Sequence, residues 1–197
     1  MKAIILGILL ITSVTYGQNK KEKIAKFNPH FSFGATYSNF FGNNYLSVGH
    51  RNDNYGFFIK LNALQVYKFN IGGLFDKTRL RAIDDKAIGG NVGTSNLNSA
   101  NIYLNYNINL NKHFSVEPEI KYGGVEIRQS GFGKNLGFQF GKVYGLGANF
   151  NYKIDNSLTF FINLNYNKFL LNVKTTPEFE SYFDNSNSLN ISLGIKL

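Results

Sequence analysis

The sequence predicts an all-β fold: an eight-stranded antiparallel up-and-down β-barrel that spans a membrane. Three observations predict it. Apolar and polar residues alternate with period two along most of the chain, the signature of strands with two unlike faces. The polar face is built from neutral amides, with 28 Asn in 197 residues and only 17% charged residues. The connections alternate between short turns on one side and long loops on the other, as in outer-membrane barrels.

The first strand is expected at about 30–40, with Phe31, Phe33, Ala35 and Tyr37 facing outward. The second, about 55–63, presents Phe57, Ile59 and Leu61. The third, about 66–75, presents Tyr67, Phe69 and Ile71. No Gly, Pro or Asn-Gly marks a turn near 64–65, so this split rests partly on parity: a barrel with both chain ends on one side needs an even strand count. The fourth, about 99–110, alternates Ile102, Leu104, Tyr106, Ile108 and Leu110 with asparagines. The fifth, about 114–124, contains Pro118, which requires an edge-tolerant or bulged position. The sixth, about 138–153, is aromatic on one face and rich in Gly and Asn on the other. The seventh, about 157–168, sets Leu158, Phe160, Ile162, Leu164 and Tyr166 against asparagines. The eighth, about 187–197, alternates to the last residue. Long loops are expected at about 41–54, 76–98, 125–137 and 169–186, and short turns at 64–65, 111–113 and 154–156.

The faces distinguish a membrane barrel from a soluble one. A soluble barrel turns its apolar face inward and its charges outward. Here the polar face is too poor in charge for a water-facing surface and suits a narrow lumen. Ten strand residues tilted near 40° cover roughly 25 Å, the height of a lipid-facing band.

Residues 1–17 read as a secretory signal, with Lys2, a 12-residue apolar stretch at 3–14, and small residues before a cleavage point near Gly17/Gln18. Residues 18–28 follow as a periplasmic N-terminal segment, and 29–197 as the barrel. The absence of cysteine excludes disulfides, thiolate metal sites and a thiol nucleophile. The formal charge of +9 is scattered, with no recognition motif for nucleic acid, so no nucleic-acid partner is expected.

If the strand phase holds, Lys60, Lys68, Glu117, Glu119, Lys121 and Lys196 point inward. Glu117 and Glu119 read as a salt-bridge network with the lysines, with an acid–base pair or ion site as the alternative. His30 and Ser32, like His113 and Ser115, begin strands at the periplasmic end, away from the outer leaflet where a lipid-cleaving Ser/His pair would work. His50 with Asp53 is a weak metal candidate. No catalytic, cofactor-binding or metal residue is assigned, and no cofactor or enzymatic activity is expected. Gly89-Gly90 and Gly131-Phe132-Gly133 lack the strand–loop–helix context of a phosphate cradle and read as loop flexibility. The loop residues Arg79, Arg81, Lys86, Phe179, Tyr182 and Phe183 are the candidate partner contacts, because aromatics there fit no strand phase.

The run Lys112-His113-Phe114-Ser115-Val116-Glu117-Pro118-Glu119-Ile120-Lys121-Tyr122-Gly123 resembles the turn-to-strand segment, roughly K-F-S-L-x-P-E-L-x-Y, of small outer-membrane β-barrel domain proteins. These are the porin-like or PorT-like proteins of the Bacteroidota. The resemblance implies an eight-stranded barrel and no single shared activity, so fold does not fix function. Family members usually end in an aromatic residue; this chain ends in Leu197.

The sequence therefore points to a cell-outer-membrane protein with a structural or interaction role through long extracellular loops. A narrow channel for small solutes and an accessory subunit of an envelope secretion or assembly complex stand as alternatives. The expected partners are outer-membrane lipid and lipopolysaccharide, the assembly machinery through the C-terminal strand at 189–197, and an envelope protein.

Overall fold

The computed structural model describes residues 25–51, 54–84, 87–88, 90–155 and 157–197. The expected leader, its cleavage point, the segment 18–24, Asp53, Lys86 and Gly89 lie outside the described residues. Among the described residues, nine strands and two short helices follow one another: β1 (Ala25–Phe41), α1 (Tyr45–Val48), β2 (Asn54–Val66), β3 (Phe69–Arg81), β4 (Thr94–Tyr106), β5 (Ile108–Asn109), β6 (Phe114–Gly131), β7 (Lys134–Lys153), β8 (Thr159–Asn172), α2 (Pro177–Asp184) and β9 (Asn185–Lys196). Each of the eight long strands pairs antiparallel with two neighbours. β1 pairs with β2 and β9, β4 pairs with β6, and the pairings return to their start. None of these eight long strands is left as an edge, which suits a sheet surrounded by lipid.

The eight expected strands are all present, but longer. β1 begins at Ala25, within the stretch expected as a periplasmic segment. The β2–β3 turn falls at Tyr67-Lys68, not at 64–65, with Tyr67 in the left-handed region at φ 55°. The expected fourth strand breaks at Asn107, and Ile108–Asn109 pair separately with β6 as β5. Pro118 sits in this gap: the β4 ladder ends at Glu119 and resumes in β5 at Val116, so no cross-strand bond to β4 or β5 is lost.

The expected loop at 125–137 is strand. β6 and β7 run to a two-residue turn at Phe132-Gly133, with φ of 50° and 73°. β3 likewise continues through Arg81. The physical reason is an inversion of amphipathy. At the end carrying the short turns and chain termini (the turn end), apolar side chains face out and polar ones face in. Toward the other end (the loop end), Leu80, Leu97, Val125, Ile127, Val143, Phe169 and Leu171 face in. There the outward positions include Lys77, Arg79, Arg81, Arg128, Lys142 and Lys168, all exposed. The alternation continues, and on β3 and β6 its sign reverses, while β7 and β8 keep Phe138, Phe140 and Leu170 outward and exposed.

Candidate functional site

Inward positions on β2, β3, β6 and β9 fill the turn-end half of the lumen with charge. A buried charge is tolerated only when paired and hydrogen-bonded. Lys60 Nζ reaches across from β2 to Glu119 Oε2 on β6 at 2.5 Å, and lies 4.6 Å from the centre of the Tyr103 ring. Asn149 Nδ2 donates to the same carboxylate at 3.2 Å. Lys196 Nζ, on β9, donates to both oxygens of Glu117 at 2.9 and 3.1 Å. Asn105 and Asn107 add bonds to Glu117 at 3.3 and 3.2 Å. Lys121 Nζ lies 3.8 Å from Asp76 Oδ2, which also accepts from Ser99 Oγ at 2.6 Å and Asn101 Nδ2 at 3.2 Å.

Beside this network Phe58, Leu74, Tyr103 and Phe161 form a small apolar cluster across the lumen. Glycines make room for it. A Cβ on Gly194 would come within 2.8 Å of the Phe58 and Phe161 rings, and one on Gly145 within 2.5 Å of the Lys121 stem. Two voids among these side chains measure about 30 and 20 Å³, space for isolated waters. Below them a polar cup of about 290 Å³ opens at the turn end, with Glu117, Lys196, His30 and Asn107 in its lining.

The loop-end half is closed by apolar packing. Phe40, Leu80, Leu97, Ile127, Val143, Phe169 and Leu171 from the strands pack with Tyr45 and Leu46 of α1 and with Ile88 and Val92. Asn44 caps α1 by accepting from Ser47 N at 3.1 Å and from Ser186 Oγ at 3.0 Å, tying the helix to β9. The Tyr45 hydroxyl donates to Gln139 Oε1 at 2.5 Å, and burial pushes its pKa up. His50 is buried, with Nε2 2.8 Å from Ser95 Oγ and Nδ1 3.3 Å from the Tyr45 carbonyl. Burial lowers its pKa, favouring the neutral ring. From α2, Phe183 packs on Tyr45 with ring centres 5.3 Å apart, and the Tyr182 hydroxyl donates to the Ala87 carbonyl at 3.2 Å. α1 and α2 thus form a lid over the lumen.

Of the six expected inward charges, Lys60, Glu117, Glu119, Lys121 and Lys196 meet in one network. Lys68 does not: it sits exposed in the β2–β3 turn. Asp76, read as loop, belongs to the network, and so does the Tyr103 ring. Arg79 and Arg81 are on the outer face of β3, not in a loop. Phe179 is exposed on α2 at 53%, whereas Tyr182 and Phe183 are half-buried against the lid, so they are packing residues first. Both ring nitrogens of His50 lie within hydrogen-bond distance of protein partners, and Asp53, read with it as a metal candidate, lies outside the described residues. Ser32 is buried, and His113 Nδ1 lies 3.1 Å from the Lys153 carbonyl in the turn-end rim.

No family model matches the chain, and no curated protein matches it. Solved structures do. Neisserial surface protein A superposes with a TM-score of 0.62 at 14% identity, covering 88% of this chain and 97% of its own. The fold is that of the small outer-membrane β-barrels. Ail, the attachment invasion locus protein of Yersinia pestis, gives 0.46 at 15% identity over 86% of this chain and 97% of its own. The outer membrane protein AlkL gives 0.45 at 14% over 91% and 95%. The likeness of fold rests on the first.

Proposed function

We propose that this chain is an eight-stranded outer-membrane barrel, exported by a leader removed near Gly17/Gln18, with its turn end in the periplasm. It acts as a structural or interaction protein through its loop end. The observation that carries this reading is the uncovered apolar band. Ile102, Leu146 and Leu193, on three different strands, are exposed at 68, 63 and 61%, while Lys60, Glu117 and Glu119 are buried. A water-soluble protein arranges these the other way; lipid requires this arrangement. The resemblance of residues 112–123 to Bacteroidota barrel proteins agrees with it.

The sealed lumen argues against the channel alternative. The interaction surface is the outside of the lid, including Phe179 on α2, together with the charged outer wall beneath it. Deleting 76–98 and 169–186, the spans expected as loops, would remove strand and core. Substitution of exposed positions is the sound probe.

The test is expression with the leader intact, followed by fractionation, gel migration with and without boiling, and planar-bilayer recording. The expected outcome is recovery in outer membranes, a heat-dependent migration shift and a silent bilayer. A soluble product without the shift overturns the barrel reading, and steady conductance overturns the sealed lumen. The mass of the native particle in mild detergent then separates a free-standing barrel from a subunit of a larger complex.

A further inference from the structure

The outward cations are not spread evenly around the wall. β3 presents Lys77, Arg79 and Arg81 at alternate outward positions, all exposed. Two strands away, β6 presents Arg128. The register aligns them across β4: Arg79 is opposite Asn96, and Asn96 is opposite Arg128. One row toward the turn end, Lys77 is opposite Asn98, and Asn98 is opposite Glu126. With strands about 4.8 Å apart, Arg79 and Arg128 flank a strip roughly 10 Å wide. Its floor is Asn96 and Asn98, which offer amide donors. Arg128 Nε donates to Glu126 Oε1 at 2.7 Å, the carboxylate in this sector. Lys77, Arg79 and Arg81 have no carboxylate partner among the described residues.

Beside these cations and toward the turn end the same sector is apolar. Phe75 precedes Lys77 on β3, Phe57 and Tyr55 are the β2 neighbours of Lys77 and Arg79, and Ile102 lies on β4. All four are exposed. The β1–β9 sector differs: its outward positions near the loop end are Asn39, Phe41, Asn187 and Leu189, with no cation. The cations also sit where the lumen changes from polar to apolar, since Thr78 and Leu80 are the inward neighbours of Arg79. That is the level at which the wall leaves the apolar band.

We infer that the β3–β4–β6 wall binds the phosphorylated headgroup of an outer-leaflet glycolipid, with its acyl chains along Phe57, Phe75 and Ile102. The inference rests on the barrel reading. Guanidinium groups suit phosphate because their paired donors match two of its oxygens. Three cations with no carboxylate partner among the described residues, at a headgroup surface, are matched by phosphates there. A headgroup held in place fits the geometry better than a soluble polyanion, because the apolar strip continues directly below the cations.

The test uses the mature chain folded in phosphatidylcholine nanodiscs, with affinity read by displacement of a fluorescent probe. The ligands are bis-phosphorylated lipid A and the same lipid dephosphorylated. The wild type is expected to prefer the phosphorylated form. The variant Lys77→Gln/Arg79→Gln/Arg81→Gln is expected to bind it about a hundredfold more weakly, at roughly fivefold per cation. Lys142→Gln/Lys168→Gln, elsewhere on the wall, is expected to bind as the wild type does. Should the triple variant fail to fold, Asn96→Glu places a carboxylate between Arg79 and Arg128 and is expected to weaken binding in the same direction. Equal affinity for the two lipids, or full affinity in the variants, overturns the inference. So does tighter binding of a heparin fragment through the same cations, which assigns the strip to a soluble polyanion. A chain that does not insert and shows no heat shift overturns the barrel reading as well; one that inserts without discriminating overturns this inference alone.

Discussion

The turn-end half of the lumen is held by Lys60–Glu119, Lys196–Glu117 and Lys121–Asp76, with an asparagine donating to each carboxylate. The loop-end half is held by Leu80, Leu97, Ile127, Val143 and Phe169 under a lid that contains Tyr45. Both halves are filled by side chains, by opposite means. In the lower half the wall faces lipid, so the chain's polar groups have nowhere to go but inward, where each must find a partner. In the upper half the wall carries Lys77, Arg79 and Arg81 to water and headgroups. The lumen there is free to become an ordinary apolar core. The environment outside the wall decides the chemistry inside it.

The comparison breaks hardest at Glu119. Glu119→Ala leaves Lys60 and its ammonium buried beside Tyr103 without a counter-ion, at a cost of about 4 kcal/mol. Lys60→Met/Glu119→Leu is expected to recover most of that loss. Urea unfolding in detergent, followed by the heat-dependent gel shift, checks both. A double variant as unstable as Glu119→Ala would mean that Asn149 and Tyr103 depend on the charges themselves.

In the upper half the corresponding loss is a cavity. Leu80 is fully buried, and Leu80→Ala is expected to cost about 3 kcal/mol. Its effect should fall on the lid before the barrel. Proteolysis of the segment around α1 is expected to accelerate while the gel shift persists. A loss of both together would show that lid and barrel unfold as one unit.

Legibility in the sequence follows the same division. Ile102, Leu104 and Tyr106 against Asn101 and Asn105 announce both the strand and its faces, so the turn-end half and most of its ion network are readable. The upper half is not, because the expected phase ends where the outward residue becomes charged. Past Phe75 the outward positions are Lys77, Arg79 and Arg81, which look like a solvated loop. Asp76 is missed for that reason. Following the alternation through Leu74, Asp76, Thr78 and Leu80 would have found it. Phe169, Leu170 and Leu171 are apolar on both faces, a signal of a wall buried on its inner side. Lys68 fails differently: Tyr67 takes a left-handed conformation that no Gly or Asn advertises. The lid helices are short and tertiary in origin, and Tyr182 and Phe183 reveal their burial only once β8 and β9 are paired.

A milder probe of the lid is Tyr182→Phe, which removes the hydroxyl bonded to the Ala87 carbonyl and keeps the ring on Phe183. The expected loss is about 1 kcal/mol. It should appear as faster amide exchange in α2 with no change in the strands. Unchanged exchange would mean that the ring alone holds α2.

The finest distinction between the halves is their response to acid. His50 is the buried histidine of the lid, and it faces the Tyr45 carbonyl and the Ser95 hydroxyl, neither of them a carboxylate. Its ring is held neutral, with a pKa below the ordinary 6.5. Above that value the ring is neutral whether the lid is closed or open, and the closed lid has its full stability. As pH falls through 6.5 toward the lowered value, the open form takes up a proton that the closed form refuses. Closure therefore weakens over that window. Protection of the amides in residues 42–51, after correction for the intrinsic pH dependence of exchange, is expected to be lower at about pH 5 than at about pH 7.5, the range in which a histidine changes charge. His50→Gln keeps a hydrogen-bonding side chain beside Ser95 without a titrating group, and should flatten the profile. If the pH dependence survives in that variant, its source is not His50.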